Sequence, residues 1–573
     1  MASQSSTAHE LEDAPDAQHT FEPAEVAEEE EELSDLDEKR DAEPSTAPRR
    51  MSGLQSIQSQ ASRTSHRSRS RLGVGFTAGL NEQNFDRDTE LELQRTKSHR
   101  NAELGKEDDP NLVEFCGPDD PGNPQNWPLW KKWTITGALG MMCFVATFSS
   151  SVFASAITET SELFHVSTEV MTLGVSLNVL GYAVGPILWG PFSELYGRKL
   201  PLFIGYAIFA IFQIPVAVAQ NIETVMICRF LGGCAACAPL VIVGASLADF
   251  WDPVDRGVAM GVFASSIFVG PALGPSIGGF MVLNPNMGWR WTAWLTLIMA
   301  AFLGLVGFFL VPESYAPVIL QGRAKRIRFE TKNWAIHARA DEQQVDLREI
   351  VTKYLTRPFL MLLSEPILVA MTVYMSLLYG IIYLFFEVFP IIYEEQRGWN
   401  AGVGGLPFLS LLIGILLGCA IMIWHVKTRF ARKLAKEGKV VPEERLLPTI
   451  LGGALLPAGL FWFAWTNGVS SPWPQLIALV PVGMGFILIF VQGLTYIIDC
   501  YLMFAASAIA ANTVARSMVG AGFPMFATAM FDDLGVPWAT SLLGFLTLAM
   551  LPAPILFYLY GGKLRKMSKF SPY

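Results

Sequence analysis

Gly190-Pro-Phe-Ser-Glu-Leu-Tyr-Gly-Arg-Lys199 joins two apolar stretches, 170–192 and 201–219, and its reading decides the fold. Each stretch has about the 20 residues that a helix needs to cross a hydrocarbon core ~30 Å thick. The loop holds a carboxylate, a turn-permitting Gly197 and two cations within ten residues. Lys and Arg are retained on the cytosolic side of a membrane, so the loop is expected there. Its acid can pair with cations or cap a neighbouring helix N-terminus, making a latch that exists in one conformation only. Gly190, Glu194, Gly197, Arg198 and Lys199 are therefore candidate latch residues; the plain alternative is a positive-inside loop with no further role.

Outward from this loop, apolar segments recur over 133–157, 224–248, 257–282, 289–311, 366–393, 402–425, 447–466, 473–496, 500–526 and 537–560. A polar interruption at 321–364 divides the twelve into six and six. Lys131 and Lys132 precede the first, Arg323 to Lys332 fill the interruption, and Lys427 to Lys439 follow the eighth. Lys563 to Lys569 end the chain, whereas the alternate loops carry Glu159, Glu162, Glu169, Glu394, Glu395, Asp532 and Asp533. An even number of crossings with both termini cytosolic satisfies this alternation, Arg397 alone departing from it.

Composition agrees: 51% of residues are hydrophobic, 16% are charged, and mean hydropathy is +0.34, which excludes an ordinary soluble globular chain. The net charge of −10 owes much to residues 1–128, which are polar, with an acidic run at Glu28–Glu32 and an Arg/Ser stretch near Arg63–Arg71. That tail is poor in aromatics and is expected to be disordered, its Arg/Ser segment open to kinases or anionic lipid. With no apolar stretch at the start, the first span is expected to act as the insertion signal. Cys234 and Cys237 have CxxC spacing, but in an apolar small-residue helix they read as packing residues. No GxxxxGK[ST] phosphate loop and no HExxH motif occurs, so the chain reads as neither an ATP-driven pump nor an enzyme, with no cofactor, metal or nucleic acid expected.

Two further features bear on how the spans bend and pack. Gly270-Pro-Ala-Leu-Gly-Pro-Ser-Ile-Gly-Gly279 puts Gly270, Pro271, Gly274, Pro275, Gly278 and Gly279 inside the fifth span. Such a run weakens and bends a helix while leaving a flat face, either a packing groove or a bend that helps seal the cytosolic side. Arg229, Glu387 and Arg516 lie within spans, where each charge costs roughly 2.5–3.5 kcal/mol on insertion scales and marks a cavity or a partner. Glu387 and Arg516 belong to the same half and could pair with each other.

On these residues the chain resembles the major facilitator superfamily, and within it the fungal 12-span drug:proton antiporters. Asn126-Trp-Pro128, Ser193-Glu-Leu-Tyr-Gly-Arg-Lys199, Arg229-Phe-Leu-Gly-Gly233, the Gly270–Gly279 run, Gly288-Trp-Arg-Trp291 and Pro312-Glu-Ser-Tyr-Ala-Pro-Val-Ile-Leu320 carry the resemblance. Lys332-Asn-Trp-Ala-Ile-His337, Thr356-Arg-Pro358, Glu387-Val-Phe-Pro390 and Ala505-Ala-Ser-Ala-Ile-Ala-Ala-Asn-Thr513 are similar to the yeast-type polyamine transporters. The resemblance implies an all-α membrane protein of two pseudo-symmetric six-helix bundles around a central cavity, working by alternating access. It divides the chain into a tail (1–115), a first bundle (116–320), a central loop (321–364), a second bundle (365–562) and a short tail (563–573). It also places Arg229 and Glu387 at the cavity wall, and Asp249 as a partner across the cytosolic gate. Glu194 stands where the family usually has Asp, and Leu195 where a basic residue is frequent, so the gate is expected to be rearranged here.

One proton entering down ~100 mV and ~1 pH unit supplies about 2.3 plus 1.4 kcal/mol, enough for roughly a 500-fold gradient of a neutral solute. One-for-one exchange of a proton for a di- or trication would run uphill, and Glu387 alone is a deep carboxylate. Proton-coupled export of amphipathic or weakly cationic small molecules (drugs, toxins or fungal metabolites) is the reading preferred; a polyamine exporter is the alternative, and an uptake symporter or sensor stands behind both. A monomer in the plasma membrane is expected, with the vacuolar membrane as the alternative.

Overall fold

Backbone in hydrocarbon must satisfy its own hydrogen bonds, and here it does so as helices. A computed structural model describes residue 109 and residues 111–570, apart from 118, 343–355, 439, 469–470 and 502–503. The expected disordered tail lies outside the described residues as far as residue 108, as does part of the central loop. The first set of helices is α1 (Leu129–Val152), α2 (Thr168–Leu195), α3 (Lys199–Ala217), α4 (Ile222–Phe250), α5 (Pro253–Val282) and α6 (Arg290–Leu310). The second begins with α7 (Pro366–Phe389), α8 (Pro407–His425), α9 (Leu446–Trp465) and α10 (Trp473–Tyr501). Local chemistry sets several starts: the Ser167 hydroxyl caps α2 at the Val170 N–H, and the Asn221 amide caps α4 at Thr224.

The last apolar stretch runs 63 residues from Ala505 to Met567, about three crossings' worth at roughly 1.5 Å per residue. Gly535 breaks it at φ +70° and ψ 159°, a conformation that L side chains avoid. The chain then returns, because Phe570 packs edge-on against Phe504 with ring centroids 5.4 Å apart. The eleven apolar helical stretches therefore make twelve crossings, with α11 (505–534) and α12 (536–567) as the final hairpin.

Contacts repeat with a shift of six helices. α1 packs on α5 as α7 packs on α11, α2 on α4 as α8 on α10, and α3 on α4 and α6 as α9 on α10 and α12. The two bundles are pseudo-symmetric, and they meet along α2–α11 and α5–α8. The start of α1 packs on the end of α4 through Trp127 and Phe250, and Arg565 near the end of α12 bonds Glu443 before α9. Arg198 before α3 reaches Asp249 at the end of α4, so both described ends of the chain emerge on the face that carries the Gly190–Lys199 loop. We call this the loop face.

Small residues bring the helices close. A Cβ added at Gly181 or Gly185 would strike Cys234 or Cys237, so this pair of thiols packs where α2 and α4 touch. Gly270, Gly274 and Gly278 turn to α1, where an added Cβ would meet Thr147, Ser151 and Val152. Gly279 instead abuts Ala401 of the other half. Despite Pro271 and Pro275, α5 is helical throughout, so its glycine run is a packing seam and not a break. Gly279 lies at the end of α5 farthest from the loop face; the seal it contributes to is therefore opposite to the cytosolic seal expected from sequence.

The domain limits also shift. Leu112–Val113, placed within the tail by sequence, pairs in parallel with His337–Ala338 of the central loop. Val113, Ile336 and Ala338 pack on Ala324 and Ile327 of the helix Ala316–Thr331. Burial would raise the Asp120 carboxyl, but the Arg323 guanidinium 2.8 Å away and the Cys116 and Gly122 N–H groups hold it below the usual carboxylate range.

Gly274→Val should lower thermal stability in detergent by about 1–3 kcal/mol, since neither the Ser151 side chain nor the α1 backbone can retreat far. Gly522→Ala, with open space at its Cβ position, should be neutral or stabilising in the same assay.

Candidate functional site

On the loop face the sequence-predicted gate residues do come together, but within one bundle. Gly197 takes φ +85°, which turns the chain from α2 into α3. The Arg198 guanidinium donates from Nε to Asp249 Oδ2 at 3.1 Å and from Nη1 to Ser193 Oγ at 3.1 Å. Glu313, beyond α6, accepts from the N–H groups of Arg198 (2.8 Å) and Lys199 (3.0 Å), so it caps the start of α3. Arg198 also lies over the Tyr315 ring and Lys199 over Phe308, while Glu194 is beside the group, within electrostatic reach of Tyr315. Gly190 supplies the carbonyl that accepts from Ser193. The network ties α2, α3, α4 and α6 together, with Asp249 as the partner of Arg198 and of the Ser314 hydroxyl, all within one half.

The second bundle repeats the device. Arg445, at the start of α9, donates from Nε to Asp499 Oδ2 at the end of α10 at 3.1 Å, with both side chains buried. Arg429 and Lys433 pair with Glu444, and Arg565 with Glu443. An ion pair crosses the halves here: Arg256 Nη2 of α5 stands 3.8 Å from Asp499 Oδ1. Beside it, Gly257 packs on Arg445 and Val426, and Gly261 on Met422. Arg256, Glu313, Arg445 and Asp499 are not among the residues singled out from the sequence. The signal was the repeat itself, for Arg198 and Asp249 are 51 residues apart and Arg445 and Asp499 are 54 apart.

The halves also meet deeper in the protein. Ser150 Oγ and Tyr383 Oη share a hydrogen bond of 3.0 Å across them, and Phe268 of α5 meets Phe490 of α10 edge-on at 4.9 Å. On the face opposite the loop, Ser276 Oγ donates to the Gly405 carbonyl at 2.7 Å.

The three charges within spans have different surroundings. Arg229 is 5% exposed and fully engaged: Nε donates to Gly174 O at 2.6 Å, Nη2 to Ser149 O and Ser150 O at 3.3 Å, and the group lies over Phe153. It gathers the last carbonyls of α1, the negative end of that helix, and so fixes α1 to α2 and α4. Glu387 faces α2, with Thr172 as its hydrogen-bonding neighbour and Oε1 buried without a partner. Arg516 of α11 lies over the rings of Tyr379 and Phe490, with its Nε buried and unpartnered. The pairing of Glu387 with Arg516 is not made: Arg516 sits at the level of Tyr379, eight residues or about 12 Å along α7 from Glu387.

The chain matches the Major Facilitator Superfamily model over residues 139–524. It is 54% identical over 483 residues to the citrinin biosynthesis cluster MFS transporter mrr1 of Monascus ruber, covering 84% of this chain and 96% of that one. It is 51% identical over 507 residues to the ascochitine biosynthesis cluster MFS transporter of Didymella fabae, covering 87% and 97%. Among solved structures it is similar in fold to the proton:xylose symporter XylE bound to 6-bromo-6-deoxy-D-glucose, with TM-score 0.55, 16% identity, and coverage of 76% and 96%.

Asp499→Ala should destabilise the protein by about 3–5 kcal/mol in thermal denaturation, because it strands the buried Arg445. Arg256→Gln should cost under about 1 kcal/mol, being half-buried and at 3.8 Å, yet raise thiol labelling at a Met422→Cys reporter on the loop face.

Proposed function

The chain belongs to the Major Facilitator Superfamily, and from that premise we propose that it exports an amphipathic fungal metabolite from the cytosol in exchange for protons. The multi-pass helical protein is a transporter of that family; cargo, direction and coupling are the proposed part. The observation that carries the coupling is Glu387, half-buried on α7 where the two halves meet, with one carboxyl oxygen buried and lacking any partner. The energy of such a group differs strongly between its protonated and ionised forms, which is what a proton-driven step needs. The relatives named for citrinin and ascochitine biosynthesis clusters support a secondary metabolite as cargo.

The architecture supports alternating access. The bundles are rigid because small-residue seams and buried ion pairs fasten each internally. The contacts between them include Arg256–Asp499 on the loop face, and Ser276–Gly405 with Gly279 against Ala401 on the other. Releasing one set while keeping the other opens the interior to one side only. We assign the loop face to the cytosol, as its cations require, and the protein to the plasma membrane, working as a monomer. Among the described residues the deep interior presents one carboxylate against two guanidinium groups, which disfavours a polyamine and shifts the preference away from cations.

Inverted vesicles containing the full chain should accumulate labelled amphiphiles when their lumen is acid, and accumulation should collapse when the pH gradient is dissipated. Glu387→Gln should remove the response to the gradient, roughly tenfold or more, while counterflow of cargo persists. An unchanged pH response in that variant would reduce Glu387 to a neighbour of Thr172.

A further inference from the structure

Arg229 and Arg516 are the same residue type at comparable burial, 5% and 7% exposed, yet their surroundings are unlike. Arg229 has three backbone carbonyls as acceptors. Arg516 has none among the described residues; its guanidinium rests 5.3 Å from the Tyr379 centroid and 4.7 Å from that of Phe490. Ring faces compensate a buried cation only in part, and they leave its N–H donors without acceptors. Its other charged or titratable neighbours, Cys237 of α4 and Tyr383 of α7, supply no carboxylate. Two more unpartnered polar atoms lie close in sequence to this group, Ser517 Oγ on α11 and Ser376 Oγ on α7, one turn from Tyr379.

A cation kept in hydrocarbon without an acceptor destabilises the protein unless something else supplies the acceptor. We propose that Arg516 is the recognition site for an organic anion: an aromatic acid whose ionised carboxylate accepts from the guanidinium and whose ring lies among Tyr379, Phe490 and Phe268. The guanidinium fork matches a carboxylate in two parallel hydrogen bonds, and its plane against the rings presents that fork edgewise. Phe268 stands edge-on to Phe490 and comes from the other bundle, so an occupant of this place touches both halves. Phe268 also lines a void with Pro271, Ala272, Ile382, Phe385 and Phe408 that has room for about one water, ~10 Å³. The anion therefore enters when the halves part, and not in the closed arrangement described here. This reading deepens the proposed export function and rests on it for direction only.

The test separates binding from transport. Full-length protein in detergent is titrated with 2-naphthoate, its uncharged amide, and a naphthyl quaternary ammonium salt, and thermal unfolding is followed. Naphthoate should raise the unfolding temperature, with the amide and the ammonium salt at least tenfold weaker. Arg516→Lys should retain part of the response and Arg516→Met should lose it. Arg516→Met should also be more heat-stable than the parent when no ligand is present, since an unpaired buried charge has gone; a merely structural arginine would give the opposite. Equal binding of all three probes, no binding of naphthoate, or a full naphthoate response in Arg516→Met would overturn the proposal. Naphthoate binding that depends on Arg516, without uptake in inverted vesicles, would support the site and contradict the export reading instead.

Discussion

Nothing in a bilayer core can accept or donate a hydrogen bond on behalf of the protein, and each buried polar group here has to be accounted for within the chain. That constraint makes the backbone helical. It also explains why Arg229 gathers carbonyls from two helices and why Arg445 lies against Asp499. Buried polar atoms without partners still occur on several helices, Arg445 Nη1 and both His425 ring nitrogens among them, and two of these atoms, Glu387 Oε1 and Arg516 Nε, belong to charged groups on α7 and α11 where the halves meet. On the proposals made above, a passing proton and an acid would complete the last two.

The same constraint shapes the moving parts. Within a bundle, helices approach until glycine is the largest residue tolerated, as at Gly181, Gly185 and Gly274. Between bundles the contacts are of mixed kind: a long Arg256–Asp499 ion pair, single hydroxyl bonds and an edge-on ring pair. Long or half-exposed ion pairs contribute little and are easily exchanged. A weak boundary between two strongly packed bodies is the mechanical requirement of alternating access.

Much of this was legible in the sequence. Loop charges implied an even number of crossings, and the hairpin near Gly535 was anticipated by the break between 526 and 537. Hydropathy was blind to helix beyond the hydrocarbon, so the extension after Phe153 through Ile157–Phe164, polar with Glu159 and Glu162, was read as loop. Depth in the membrane can be read from sequence, but direction around the helix axis cannot. Glu387 and Arg516 were placed correctly within spans, yet their pairing failed because they sit at different levels of the seam. Asp249, expected as a partner of the Gly190–Lys199 loop, pairs with Arg198, which the α2–α3 turn positions. The pre-α1 strand was invisible because two residues of pairing carry no periodicity.

An anionic cargo changes the energetics as well. An inside-negative potential of ~100 mV favours exit of each negative charge by about 2.3 kcal/mol, adding to the about 3.7 kcal/mol of an entering proton. The central claim is that the two bundles separate at one face while staying joined at the other. Spin labels at Asp252 and Lys427 on the loop face, and at Asn284 and Asn400 on the opposite face, measure both separations in reconstituted full-length protein by electron–electron double resonance. The account predicts that lowering pH or adding cargo lengthens one distance while the other shortens or stays short. Distances that never change, or that lengthen together, would contradict it.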